Sequence, residues 1–433
     1  MKKITLEELY QVYLKNPDLS KDTRTISEGC IYLALKGESF NGNLFAEEAL
    51  SKGAAYVLID EKKHQKDERY LLVDNVLESI QQLAHHHRQQ LNIPIIAISG
   101  SNGKTTTKEL IAAALSKKFK TLYTIGNYNN HIGVPLTLLR ISNEHEMAII
   151  EMGANHQGEI ASLCQITAPN YGMLTNIGKA HLEGFGGEEG VRKGKTEMFK
   201  HIAKTNGTLF LNLDDAKIKA SNPETKTIRY SISEVADCSG NLKETHPRLV
   251  GEWKTKSASG RINSALYGAY NFQNILAACT IASYFGVDAI DIDAAINGYE
   301  SDMNRSQIVK KLGANIYLDA YNANPSSMSL SLDNFEKVKT EEKVAILGDM
   351  FELGKAAFSE HYEIIKQAKK CTSIHLTIFV GKHFAEHYYE DKDVKFFKTT
   401  DDAKRWFKTV SWDGFTILLK GSRGMELETL LNG

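Results

Sequence analysis

Nothing in the chain approaches the ~18 consecutive apolar residues that a membrane-spanning helix needs, so no membrane partner is expected. Cysteine is scarce. Cys30, Cys164, Cys238, Cys279 and Cys371 are scattered, odd in number and without a C-x-x-C pair. That argues against a disulfide framework or a zinc site and fits a reducing compartment. Neither charge is in excess: 52 Lys plus Arg stand against 53 Asp plus Glu, for a net charge of −1. A nucleic-acid-coating protein would carry a basic surplus, so no nucleic-acid partner is expected, although a local site for a small anion stays open. The opening MKKITLEELYQVY is amphipathic and lacks the apolar stretch of a secretion signal, which leads to a cytoplasmic expectation. Internal repeats and low-complexity segments are also missing. His85, His86 and His87 are consecutive on a predicted helix. Successive helical residues lie ~100° apart, so the three cannot converge on one metal, and they read as a solvated face.

What is present is enough for about three domains, since 42% of the 433 residues are hydrophobic. Residues 1 to about 88 read as a small α/β unit, with strands at 30–35 and 55–59 and helices at 44–50 and 76–90. From residue 93 short apolar runs alternate with helical stretches, which predicts βαβ units and a parallel sheet. The runs are 95–98, 147–150, 171–174 and 208–211. Residues 236–264 are polar and irregular and read as surface hairpins or loops. A second series, 315–318, 344–347, 377–380 and 415–419, predicts a separate doubly wound domain.

Ligands of open parallel sheets bind beyond the carboxyl ends of the strands. The first run leads into Ser99, Gly100, Ser101, Asn102, Gly103, Lys104, Thr105 and Thr106. Glycines there let backbone N–H groups wrap phosphate oxygens. Lys104 supplies charge to the β- and γ-phosphates, and Thr105 offers a hydroxyl to Mg²⁺. The following helix, expected over about 104–118, adds its N-terminal dipole. The generic phosphate-loop pattern has glycine five residues before Gly103, whereas this chain has Ile98. The second run ends in Glu151 and the third leads through TNIGKA to His181. A carboxylate and an imidazole at strand ends beside a phosphate loop make a plausible Mg²⁺ environment; either alone could be structural.

These motifs resemble those of the Mur ligases, over essentially the whole chain. The stretches that carry the likeness are DTRTISEGCIYLALKGESFNGN at 22–43, TIGNYNNHIGVPLTLL at 124–139, EMGANHQGEI at 151–160 and TNIGKAHLEGFG at 175–186. They continue with KGKTEMF at 193–199, GAYNFQNILAA at 268–278, DAYNANPSSM at 319–328, LGDMFELG at 347–354 and LLKGSRGMELE at 418–428. EMGANHQGEI and DAYNANPSSM match the D-alanyl-D-alanine-adding member better than its sisters. Isoleucine at position 98 is the family's own form of the loop.

The resemblance implies an α/β fold with the three-domain Mur ligase architecture: a UDP-substrate-binding N-terminal domain (1–90), a central P-loop ATP-binding domain (91–302) and a C-terminal Rossmann-like doubly wound domain (303–433). It implies an ATP-dependent amide ligase in cytoplasmic peptidoglycan-precursor synthesis. Its substrates would be UDP-N-acetylmuramoyl-tripeptide and D-Ala-D-Ala, joined through an acyl phosphate by a monomer. Lys104, Glu151, His181 and Lys195 would be catalytic. ATP would contact residues 100–106 together with Asn274, Arg305 and Asp319. Two Mg²⁺ would be held by Thr105, Glu151, His181 and Lys195, the last as a carbamate because an ammonium would repel the metal. Thr23, Arg24, Asn127, Asn129, Asn130, Tyr321, Asn324 and Arg423 would face substrate. For three of these a plainer reading stays open. Lys195 could be a surface lysine, Asn324 a helix cap before Pro325, and Arg423 half of a salt bridge. The family's substrate loop ends in D-G-H, whereas here it reads Asn41-Gly42-Asn43, which puts Asn41 and Asn43 in doubt as contacts. Domain closure is expected, with hinges near 88–93 and 300–305. Rival readings are a sister ligase, a folylpolyglutamate-type ligase, or a P-loop switch that does not ligate.

Overall fold

A computed structural model describes residues 2–301 and 305–432. The expected boundary at 302/303 and part of the expected second hinge fall on residues 302–304, outside the described residues. The chain divides into two compact units: Met1–Ala97, Phe119–Gly153 and Glu159–Tyr171 form one, and Ile98–Lys118, Ala154–Gly158 and Gly172–Gly433 the other.

The first unit contains a four-stranded parallel sheet in the spatial order Leu19–Ser20, Ile31–Leu33, Tyr56–Ile59, Tyr70–Leu72. Cys30, Tyr32, Val57, Ile59, Tyr70 and Leu72 cluster on it. The helix Val76–Gln89 starts at Asn75, whose side chain accepts the Glu78 N–H, and buries Val76, Ile80, Leu83, Ala84 and His87 on one stripe. The histidine run is therefore not a solvated face. His87 is buried, with Nε2 donating to the Ile141 carbonyl at 2.8 Å and Nδ1 facing the Tyr10 hydroxyl at 3.2 Å. A periodic reading cannot see this, because histidine passes as polar while a neutral ring with both nitrogens engaged packs like a hydrophobe. Arg88 is also buried and donates to the Thr167, Ala168 and Leu91 carbonyls and the Asn170 side chain. The same unit holds the parallel strands Thr121–Tyr123 and Met147–Glu151.

Burial holds the His87 ring below the usual histidine range. Its unfolded pKa is about 6.5, so at lower pH the unfolded chain takes up a proton that the folded chain refuses. The stabilisation from neutral His87 is complete above that value and is lost as pH falls. His361 in the second unit is depressed for the same leading reason. We expect the melting temperature to drop between pH 7 and pH 5, with a shallower slope in His87→Gln. A slope unchanged in that variant would remove His87 from the account.

In the second unit, the strands Thr208–Asn212 and Lys226–Ser231 run parallel. The stretch expected as hairpins or loops forms Cys238–Glu244, Leu249–Thr255 and Ser259–Ser264, joined antiparallel. The helix Lys104–Leu115, shorter than expected, lies against Ala269–Tyr284, a helix buried on nearly every side. A further six-stranded sheet follows in the order Gln307–Lys311, Ala314–Asp319, Thr416–Lys420, Lys343–Gly348, Leu376–Val380, Val394–Phe397. Only its first pair is antiparallel. Ile316, Leu318, Val344, Ile346, Ile378, Val380, Ile417 and Leu419 form its core. This alternation of buried parallel strands and helices is the expected α/β class. No helix among the described residues is long and apolar enough to cross a membrane.

Candidate functional site

The strand Ile95–Ser99 is buried along its whole length, Ile98 included. The position where a generic phosphate loop carries its first glycine therefore lies inside a strand, and the loop proper begins at Gly100. Gly100 has φ of +139°, and a Cβ there would stand 2.0 Å from the Thr175 hydroxyl. Gly103 has φ of +77°, with the Asn274 amide oxygen 2.8 Å from where its Cβ would be. Both the backbone angle and the missing side chain are required at these two places.

The loop is held from the TNIGKA segment. The Ser101 N–H donates to the Asn176 carbonyl and its hydroxyl to the Gly178 carbonyl. The Asn102 N–H donates to the Asn176 side chain, while the Asn102 carbonyl accepts from Thr175 and Asn176. A search for charged strand-end residues passes over Thr175 and Asn176, because a neutral amide and a hydroxyl carry the hold. Lys104 Nζ donates to the Gly100 carbonyl at 2.9 Å, curling over the loop. Thr105 and Thr106 are buried in the first turn of the helix. Asn274 is buried, donates to Asn271, and backs Gly103.

Asn324 is the helix cap that the plainer reading expected, and it makes a second contact that the sequence did not suggest. Its side chain accepts the Ser327 N–H as the cap of the helix Pro325–Glu336. Its amide nitrogen also donates to Asn102 in the phosphate loop at 2.7 Å. Asn324→Ala should therefore lower stability by about 1 kcal/mol, the usual worth of a cap, and also weaken ATP binding. Asn324→Ser keeps a cap but not the reach to Asn102, so it should lose nucleotide affinity alone. Equal ATP affinity in Asn324→Ser and the parent, read by calorimetry, would reduce Asn324 to a cap.

His181 has a left-handed backbone, with φ of +51°, and its Nδ1 is hydrogen-bonded to the Glu352 carboxylate. That hydrogen bond is the leading cause holding Glu352 below the usual carboxylate range. Lys195 is no surface lysine. It is fully buried at the end of the helix Glu188–Lys195 and donates to the Ala154 carbonyl at 3.1 Å, with the Phe185 ring 5.1 Å away. The Arg305 guanidinium lies 3.6 Å from the centroid of the Tyr321 ring. Asp319 accepts from Lys420 at 2.5 Å. Arg423 pairs with Glu428 at 2.8 Å and is largely exposed. Truncating Arg423 should cost under about 1 kcal/mol of stability.

In the first unit, Glu151 ends the strand Met147–Glu151 and is 1% exposed. Asn129 donates to its carboxylate at 2.8 Å and takes the Gly153 N–H on its own carbonyl. Asn129 thus orients Glu151. Asn130 accepts from Ile132 and Gly133 at the start of the helix Gly133–Leu138, and Asn127 is exposed. Arg24 forks onto Asp22, which that contact holds down at about 2, and Thr23 lies beside it in one 3₁₀ turn. Asn43 is 1% exposed and latched to Asn41, Asp60 and Glu61. Among the described residues there is no group of three or more His, Cys, Asp or Glu side chains that could hold a metal.

Three family models match successive parts of the chain: "Mur ligase family, catalytic domain" over residues 19–101, "Mur ligase middle domain" over 98–282, and "Mur ligase, glutamate ligase domain" over 304–423. The UDP-N-acetylmuramoyl-tripeptide–D-alanyl-D-alanine ligase of Bacillus subtilis is 32% identical over 95% of this chain and 92% of its own length. The chain belongs to the Mur ligase family. Two solved structures agree in fold across nearly every residue. MurF from Acinetobacter baumannii has a TM-score of 0.88 at 28% identity, covering 100% of this chain and 98% of that one. MurF from Thermotoga maritima, solved in complex with ADP, has a TM-score of 0.85 at 25% identity, covering 97% of each. This Mur ligase has the family's three-domain mixed α/β architecture with parallel sheets, and it is an ATP-dependent ligase.

Proposed function

We propose that this ligase joins D-alanyl-D-alanine to UDP-N-acetylmuramoyl-tripeptide, in the cytoplasm, as a monomer with domains at 1–90, 91–302 and 303–433. The observation that carries the substrate assignment is the end-to-end match to the Bacillus subtilis enzyme of that name. In the proposed reaction the γ-phosphoryl of ATP passes to the peptide carboxylate, giving an acyl phosphate. The amine of the dipeptide attacks the acyl carbon, the amide bond forms and phosphate leaves. Phosphoryl transfer of this kind asks the protein for positioning and charge neutralisation rather than covalent help.

The backbone N–H groups from Gly100 to Thr106 would take phosphate oxygens, and Lys104 would exchange the Gly100 carbonyl for the β- and γ-phosphates. Asn274, Arg305 and Asp319 would serve the nucleotide; Thr23, Arg24, Asn127, Asn129, Asn130, Tyr321, Asn324 and Arg423 are the substrate-side candidates. By donor type, the Thr105 hydroxyl, the His181 imidazole and Lys195 once carbamylated suit Mg²⁺, and Glu151 offers a buried, oriented carboxylate in the first unit. Mg²⁺, as two ions, would neutralise phosphate charge when bound. Carbamylation adds CO₂ to the neutral Lys195 amine with loss of one proton, turning an uncharged group into an anion; starting from the ammonium, two protons leave in all.

The deciding assay is ADP release with ATP, Mg²⁺, the UDP-linked tripeptide and D-Ala-D-Ala, omitting one component at a time. Dependence on all four, with a product heavier by one dipeptide less water, is expected. Turnover with a different amine and none with D-Ala-D-Ala would move the chain to a sister activity.

A further inference from the structure

His181 and Glu352 are two of the few non-glycine residues with left-handed backbone, at φ of +51° and +61°. Such angles are costly for residues with a side chain and persist where surrounding structure over-determines them. Here two chain segments lock together. The Glu183 N–H donates to the Glu352 carbonyl at 3.2 Å, next to the side-chain bond between His181 Nδ1 and the Glu352 carboxylate. Gly354, at φ of +52°, packs closely against Glu183, whose Cβ would be 3.0 Å from a Cβ there. The backbone contact sets where Glu352 stands, and the side-chain contact then acts on the imidazole.

A carboxylate accepts and cannot donate, so neutral His181 facing Glu352 carries its proton on Nδ1. The lone pair is then on Nε2. A histidine that serves a cation, or the water around one, needs that division of labour, and a carboxylate behind the ring is the usual way to fix it. We propose that Glu352 is a positioning residue of this ligase, holding His181 through Nδ1 in the tautomer that leaves Nε2 as the acceptor. The role assigned to that acceptor rests on the metal-site reading above; the hydrogen bond and the tautomer do not.

The test uses the full chain labelled with ¹⁵N-histidine, free of metal, nucleotide and substrate. A two-bond proton–nitrogen spectrum assigns the protonated nitrogen of each ring, and His181 is identified by the signal missing from His181→Asn. The parent should show His181 protonated on Nδ1. Glu352→Ala should release the proton to Nε2, and Glu352→Gln, whose amide oxygen still accepts, should restore the parent pattern. In the ligase assay, Glu352→Ala should raise the Mg²⁺ concentration for half-maximal rate about ten- to a hundredfold, leave the KM for D-Ala-D-Ala unchanged, and be largely rescued by Glu352→Gln. The melting temperatures of the variants should match the parent, because Glu352 is a surface residue. His181 protonated on Nε2 in the parent, or a tautomer indifferent to Glu352→Ala, overturns the proposal whatever the substrate proves to be. An unchanged Mg²⁺ requirement in Glu352→Ala overturns the positioning role even if the tautomer is as expected.

Discussion

Lys104→Met should lose about a thousandfold in the rate of ADP formation while remaining folded. The magnitude is that of removing one preorganised charge partner from a developing negative centre. The structure explains why so much rests on one side chain. The loop from Gly100 to Gly103 is held by Thr175 and Asn176, so its backbone is in place before any ligand arrives. Lys104 already lies over that loop, bonded to the Gly100 carbonyl. Methionine keeps the aliphatic stem and its packing but has no charge to offer. Single-turnover ADP release, read beside a thermal melt, separates chemistry from folding. A rate within tenfold of the parent would show that backbone N–H groups carry the phosphate charge without Lys104.

How legible this site was depended on the kind of signal each part left in the sequence. Buried parallel strands announce themselves, because both faces must be apolar; Ile95–Ser99, Met147–Glu151 and Tyr171–Leu174 stand where the runs placed them, to within a residue at their ends. Edge strands give no such run. Gln307–Lys311 is mostly exposed and carries Lys310 and Lys311, charges that suit an unpaired edge, and it was missed. So were Val394–Phe397, half-buried throughout, and the two-residue Leu19–Ser20. Within the site, the glycine and lysine pattern exposed the phosphate loop, and Glu151 and His181 stood out as charged or titratable residues beyond strand runs. Their orienting partners did not. Asn129 and Glu352 are distant in sequence from the residues they hold, and nothing in local spacing couples them. Burial of Lys195 was invisible for a related reason: its stretch is rich in lysine, and the Phe185 ring and Ala154 carbonyl that it meets lie elsewhere in the sequence.

That enclosure makes Lys195 the second position with a large expected effect. Its side chain is fully buried, so Lys195→Ala removes packed volume as well as function and should cost about 2–4 kcal/mol of stability, as other long buried side chains do. Lys195→Met keeps most of that volume and provides the folding control. If the working form is the carbamate, both variants should fall at least a hundredfold in ligation, since the anionic group that would hold the Mg²⁺ balancing the phosphate charge is missing. Only Lys195→Ala leaves space, so added formate, acetate or propionate should restore part of its rate and none of that of Lys195→Met. The parent protein should also gain the mass of one CO₂ in bicarbonate and lose it on acidification, because the carbamate reverts when protonated. Rescue of neither variant, together with a parent rate indifferent to dissolved CO₂, would leave Lys195 as a buried amine whose part is to anchor the Ala154 carbonyl.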